Sequence, residues 1–236
     1  GILMMIYTSA SVSNEKRHQT WDTLRTTRNG IGLALRARWS AAVFYRLSGL
    51  MIVLYVARLI LVGALLYDLT AFGGDYLAII SGGGVVPQLS LAIVILLEAL
   101  SMAASFVLPL TGLGLDAAVG LLLGTLIHQR VWLALAQVLA GVARVGLVAV
   151  MLWWLITNTN VTTMPSTAGA LASMVGYGAF GDWGLRYLNL ASYSELWAVV
   201  HYGIFTGVGL LVVAFGQALL TDLLVTLAVR RGEVQE

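Results

Sequence analysis

Long apolar runs alternate with short polar breaks along this chain, and the runs are long enough to cross a bilayer as helices. They fall at about 40–67, 89–127, 131–156 and 196–229. Ahead of them lies a polar, mainly basic stretch, 15–38, preceded by a short apolar stub at 2–6. Within 15–38, helical spacing puts Trp21, Leu24, Ile31 and Leu35 on one side and leaves Arg25, Arg28, Arg36 and Arg38 mostly elsewhere. Asn14 is placed to cap that helix, with Glu15 against the positive end of its dipole. The pattern predicts an amphipathic helix lying on the cytoplasmic face, its arginines against anionic lipid.

The second run is about 39 residues, or about 58 Å as one helix, which exceeds a single ordinary span. Pro109, Gly112 and Gly114 interrupt it, and proline removes a donor and crowds the preceding turn. A break near Pro109 is therefore expected. Charge selects the number of crossings. One crossing puts the basic segment, Arg130 and Arg230-Arg231 on one side, and Asp68, Asp75, Asp182 and Glu195 on the other. That arrangement obeys the positive-inside rule throughout; two crossings break it. The expected architecture is an all-α polytopic bundle of about four spans, forming one transmembrane domain over 1–236, with the C-terminus cytoplasmic. The segment 157–194, with Pro165, many glycines and several aromatics, reads as an outside loop. Trp132, Trp153, Trp154, Trp183 and Trp197 read as an aromatic belt. The run 2–6 is too short to span; it reads as the tail of a helix lost from an incomplete or processed piece.

Composition agrees with a membrane protein. Hydrophobic residues make up 59% and charged residues 10% of 236, against about 25% charged in soluble domains. Mean hydropathy is +0.90. With no cysteine there is no disulfide, thiolate metal site or cysteine nucleophile. A net charge of +2, concentrated at the N-terminal end, speaks for topology and not for nucleic-acid binding.

The segment Glu15-Lys-Arg-His-Gln-Thr-Trp-Asp-Thr-Leu-Arg-Thr-Thr27, followed by a span, resembles the cytoplasmic coupling segment of type-2 ABC exporter permeases. The family pattern reads Glu-Arg-x-x-Gly-Thr-x-x-x-Leu-Leu-x-Thr-Pro. Glu15, Arg17, Thr20, Leu24 and Thr26 or Thr27 match it. Gln19 stands where Gly is usual, Arg25 where Leu is usual, and Arg28 where Pro is common. The four spans that follow, and the ending Asp222-Leu-Leu-x-x-Leu-Ala-x-Arg-Arg, are similar to the family's closing helices. The resemblance implies a membrane permease subunit in a bacterial plasma (inner) membrane. It implies pairing with a second permease half or a second copy, and a separate ATPase docked on Glu15, Arg17, Thr20, Trp21, Leu24 and Thr27. ATP and Mg would sit on that partner, with no cofactor in this chain. The substrate is unreadable, since lipid, glycan, drug and peptide exporters share the pattern.

Six ionisable residues lie inside the runs: Arg46, Arg58, Glu98, Asp116, Arg144 and Asp222. Charges in lipid pair or face an interior cavity. At 1.5 Å per residue, Arg58 and Glu98 each lie about 15 Å below the outer boundary, Asp116 and Arg144 about 21 Å above Arg130, and Arg46 and Asp222 about 12 Å from the inner boundary. These depths predict three opposite-charge pairs acting as glue between helices, or one of them on a translocation path or hinge.

The residues also exclude chemistry. There is no phosphate-loop motif, and Lys16 is the only lysine, so ATP hydrolysis by that route is not a property of this chain. No catalytic or metal-ligating set is expected. His18, His128 and His201 are scattered in depth, which argues against a bis-His haem and for boundary histidines bonded to backbone. Gly112-Leu-Gly114 and Gly203-x-x-x-Gly207-x-Gly209 read as close-packing surfaces. The rival reading is a non-transporting structural subunit of a respiratory or photosynthetic assembly, using the same apolar surface to bind partners, lipid or pigment.

Overall fold

The computed structural model describes residues 1–17, 30–46, 48–71, 89–127, 129–158, 167–188, 200 and 202–234. Among them every regular element is helical. In order these are α1 (Ile2–Arg17), α2 (Gly30–Ser40), a π-helical turn (Ala41–Arg46), α3 (Ser48–Ala71), α4 (Leu91–Leu126), α5 (Arg130–Asn158) and α6 (Thr167–Phe180). Two 3₁₀ turns (Leu185–Leu188 and Gly203–Phe205) and α7 (Thr206–Val234) complete the set. The protein is all-α, and four stretches are long and apolar enough to cross a membrane: Ser48–Tyr67, Leu91–Leu126, Arg130–Thr157 and Gly203–Glu233. Helices satisfy their own backbone groups, which is what lipid demands of a spanning segment. α5 leaves Val131, Leu135, Val138, Leu139 and Val142 exposed, the apolar exterior of an integral membrane protein.

The chain divides into two compact, discontinuous units. The first comprises 1–51, 110–144 and 215–236. α1 packs into it along one face. Met4, Met5, Thr8, Ser9 and Val12 form its buried stripe, with the helical spacing of a packed face. The hydroxyls on that stripe return to their own helix: Thr8 donates to the Met4 carbonyl (2.9 Å) and Ser9 to that of Met5 (2.8 Å). Ser9 also accepts from Gln137 Nε2 of α5, and Asn14 accepts from Arg130 (3.3 Å). Val12, Ile31, Leu35, Leu121 and Ala228 close a core against Trp39. Ile31 and Leu35 thus occupy the apolar side that the spacing assigned them.

The second unit comprises 52–109 and 145–214. Its core joins Val94, Leu97, Ala104 and Leu108 of α4 to Ala170 and Met174 of α6 and to Leu210 of α7. α6 has 14 residues, about 21 Å, short of the roughly 30 Å of hydrocarbon. The Tyr187 hydroxyl donates to the Met174 carbonyl (2.7 Å), tying the turn after α6 back to it. Gly207 of α7 meets the α4 backbone, where an added Cβ would come within 2.7 Å of Ser101 N and Cα.

Four sequence expectations need correction. Asn14 does not cap a helix beginning at Glu15. The helix starts upstream at Ile2 and carries both residues in its last turns, because the apolar stub and Thr8–Val12 together make a buried face. The helix α4 is not broken near Pro109; it runs unbroken from Leu91 to Leu126. Proline in a membrane helix is tolerated where neighbours serve the loosened backbone. The carbonyl that Pro109 leaves without its donor is that of Ser105; the Tyr55 hydroxyl donates to the next one, Phe106 (2.9 Å). The stretch 157–194 is not a plain loop, since it holds α6 and a 3₁₀ turn. The first span begins at Ser48, after a π-helical turn, and not near residue 40.

Candidate functional site

The coupling segment is described only at its start. Arg17 ends α1, and Glu15 forms an ion pair with Arg38 of α2. Thr20, Trp21, Leu24 and Thr27 lie outside the described residues, as do His18, His128 and His201.

The ionisable residues within the spans sort differently from their depths. Asp116 of α4 and Arg144 of α5 come together as an ion pair, each largely buried. Equal depth, about 21 Å above Arg130, is here joined by a facing direction. Among the described residues Arg46 and Asp222 form no ion pair. Both are exposed, and Arg46 stacks instead on Tyr7 of α1, 5.2 Å from the ring centroid. Arg58 and Glu98 form no ion pair either. Glu98 is 5% exposed, with Oε1 lacking a hydrogen-bond partner. Arg58 is turned toward the turn after α6.

That turn is the feature sequence reasoning missed. Gly181-Asp182-Trp183-Gly184 follows α6 directly. Asp182 Oδ1 accepts from the Gly184 N–H and Oδ2 from the Arg186 N–H, both at 2.9 Å, capping the 3₁₀ turn as an N-cap carboxylate does. Trp183 (φ 57°) and Gly184 (φ 80°) are left-handed. Only glycine adopts that conformation freely, so the two side-chain caps hold Trp183 where it is disfavoured. The result is an indole ring whose centroid lies 5.7 Å from the Arg58 guanidinium. Burial pushes the Asp182 carboxyl above its ordinary range; the two backbone N–H groups and the Arg186 and Arg58 charges pull it part of the way back. Glycines around an aspartate after an apolar helix are a turn signal. Nothing in the letters, however, says which helix the turn faces.

Arg58 is the most buried charge among the described residues of the second unit, at 0% exposure. Its flanks on α3 (Ile52, Val53, Val56, Leu59, Ile60, Leu66 and Tyr67) are exposed and apolar. The guanidinium therefore sits midway along a lipid-facing stretch. Tyr55, one turn earlier, stacks on Phe106 (6.1 Å, 2°) and spends its hydroxyl proton on the Phe106 carbonyl. Among the described residues no group of three His, Cys, Asp or Glu is placed to hold a metal.

Comparison of the chain with family models, with curated proteins and with solved structures gives no match.

Proposed function

We propose that the protein is the membrane permease subunit of a type-2 ABC exporter, with a separate ATPase docking on 15–27. The observation that carries the reading is positional: a polar, arginine-rich segment bearing Glu15, Arg17, Thr20, Leu24 and Thr27 precedes four helices long enough to span. The Glu15–Arg38 ion pair supports it by fastening the start of that segment to α2, which leads into the first span. In this reading movement of the docked ATPase passes through α1 and α2. The chain acts as transporter half in a bacterial inner membrane, pairing with a second half or a second copy.

Trp21 and Leu24 are the apolar anchors this reading needs, since buried aromatic residues dominate interface energetics. The double substitution Trp21→Ala with Leu24→Ala is expected to abolish co-purification of a candidate ATPase, while the protein still fractionates with membranes. Retention of the ATPase at the wild-type level would make the segment an interfacial helix only. The structural-subunit reading would then move ahead.

Sidedness tests the same reading independently. With no native cysteine, an impermeant thiol reagent on intact cells should label Ser166→Cys and spare Gly232→Cys. The reverse pattern would overturn both the topology and the permease reading.

A further inference from the structure

The Arg58 guanidinium presents three buried nitrogens, Nε, Nη1 and Nη2, and none of them has a hydrogen-bond partner. The Trp183 indole Nε1 beside it is buried and equally unpartnered. The nearby Asp182 carboxylate accepts the Gly184 and Arg186 backbone N–H groups, and among the described residues no acceptor is bonded to Arg58. The Tyr55 hydroxyl points its proton at Phe106. The place is thus a concentration of donors without acceptors, midway along an apolar helix. Unpaired donors and charges are most costly there.

The donors are also arranged. Guanidinium is a planar fork that matches the oxygens of a carboxylate or phosphate bidentately. The guanidinium carbon lies over the indole ring, 5.7 Å from its centroid, and the indole Nε1 is a further buried donor without a partner. The left-handed, doubly capped turn fixes the ring in position, and such strain persists where a site needs it.

We propose that Arg58 and Trp183 form a binding site for an oxyanionic group, of phosphate type, held by the guanidinium fork and the indole N–H. The guanidinium is fully buried and Trp183 half-buried. The site does not depend on the ATPase-docking reading, and its ligand has two sources: a phospholipid headgroup or a free anion.

The full chain in nanodiscs separates them. In discs mixing phosphatidylcholine with phosphatidylglycerol, native mass spectrometry reads the lipid retained. In phosphatidylcholine discs alone, equilibrium dialysis reads inorganic phosphate. Wild type should retain phosphatidylglycerol selectively or bind phosphate. Arg58→Gln should lose about tenfold or more of that binding, as expected for hydrogen bonds to a charged group. Arg58→Lys, which keeps the charge and loses the fork, should fall between. Trp183→Phe, which keeps the ring and loses the N–H, should lose about threefold. Enrichment of the lipid alone identifies a headgroup site, and phosphate binding alone a soluble-anion site. No binding of either probe, or binding unchanged in both Arg58→Lys and Trp183→Phe, overturns the proposal. These two conservative variants decide the matter even if Arg58→Gln fails to fold.

Discussion

Replacing Gly120 by leucine should unfold the first unit, costing at least about 3 kcal/mol in a reversible denaturant titration of the detergent-solubilised protein. Gly120 lies where α4 meets α1. A Cβ there would strike the Thr8 hydroxyl and the Met5 carbonyl and would come within 2.8 Å of the Met5 Cα. Two of those atoms are backbone, which cannot rotate out of the way. One turn on, a Cβ on Gly124 would stand 3.0 Å from the Ser9 carbonyl and from the Val12 Cβ. The two glycines form a small-xxx-small surface that lets the helix backbones approach, and the approach buries Met5, Ser9 and Val12 together. Gly124→Val should therefore weaken the same contact. Gly146→Ala is the control. An added Cβ there meets nothing within 4 Å, and alanine is the better helix former by about 1 kcal/mol. It should leave stability unchanged or raised. If Gly120→Leu unfolds at the wild-type midpoint, the α1–α4 contact does not hold the first unit together.

How far this architecture could be read from the letters depended on the kind of signal. Span number came through because it is one-dimensional: apolar length against bilayer thickness locates 91–126 and 130–157 within a few residues. The helix α1 was misread for the same reason. Only five apolar residues, 2–6, stand at its head, and its buried face is completed by Thr8 and Ser9, polar letters whose hydroxyls bond back to their own helix. Hydropathy counts those residues against burial; the i−4 carbonyl makes them neutral. Pro109 misled in the opposite sense. Its missing donor is a local fact, whereas the Tyr55 hydroxyl that serves the same turn is supplied from α3, 51 residues away in sequence. The ionisable residues show the limit most plainly. Depth follows from counting residues, but azimuth does not. Asp116 and Arg144 come together as counted; Glu98 sits on the same unbroken helix as Asp116, 18 residues away, and does not pair with Arg58. Trp183 was assigned to an interfacial belt because tryptophans usually go there. Its place over Arg58 is set by the left-handed turn at 183–184, which only the backbone reveals.

Neutralising Asp116 should destabilise the first unit by about 3–5 kcal/mol, because Arg144 is left as an unpaired charge at membrane depth; neutralising Arg144 should cost less, since the Gly1 amino group stays 4.0 Å from Asp116. Both side chains are mostly covered, at 14% and 22% exposure, so solvent does little to screen the loss. Arg144 donates through Nη1 to Asp116 Oδ1 and links α5 to α4 within that unit. The informative variant is the double one. Asp116→Asn with Arg144→Gln removes both charges and keeps polar groups of similar shape. It should recover most of the stability lost by either single change, since replacing a buried pair as a whole is often close to neutral. A double-mutant cycle on denaturant midpoints therefore separates attraction from desolvation. A coupling energy above about 2 kcal/mol is expected for a covered pair, against about 0.2–1 kcal/mol for an exposed one. Additive losses with no coupling would mean that each residue is held by other neighbours and that the pair does not join α4 to α5.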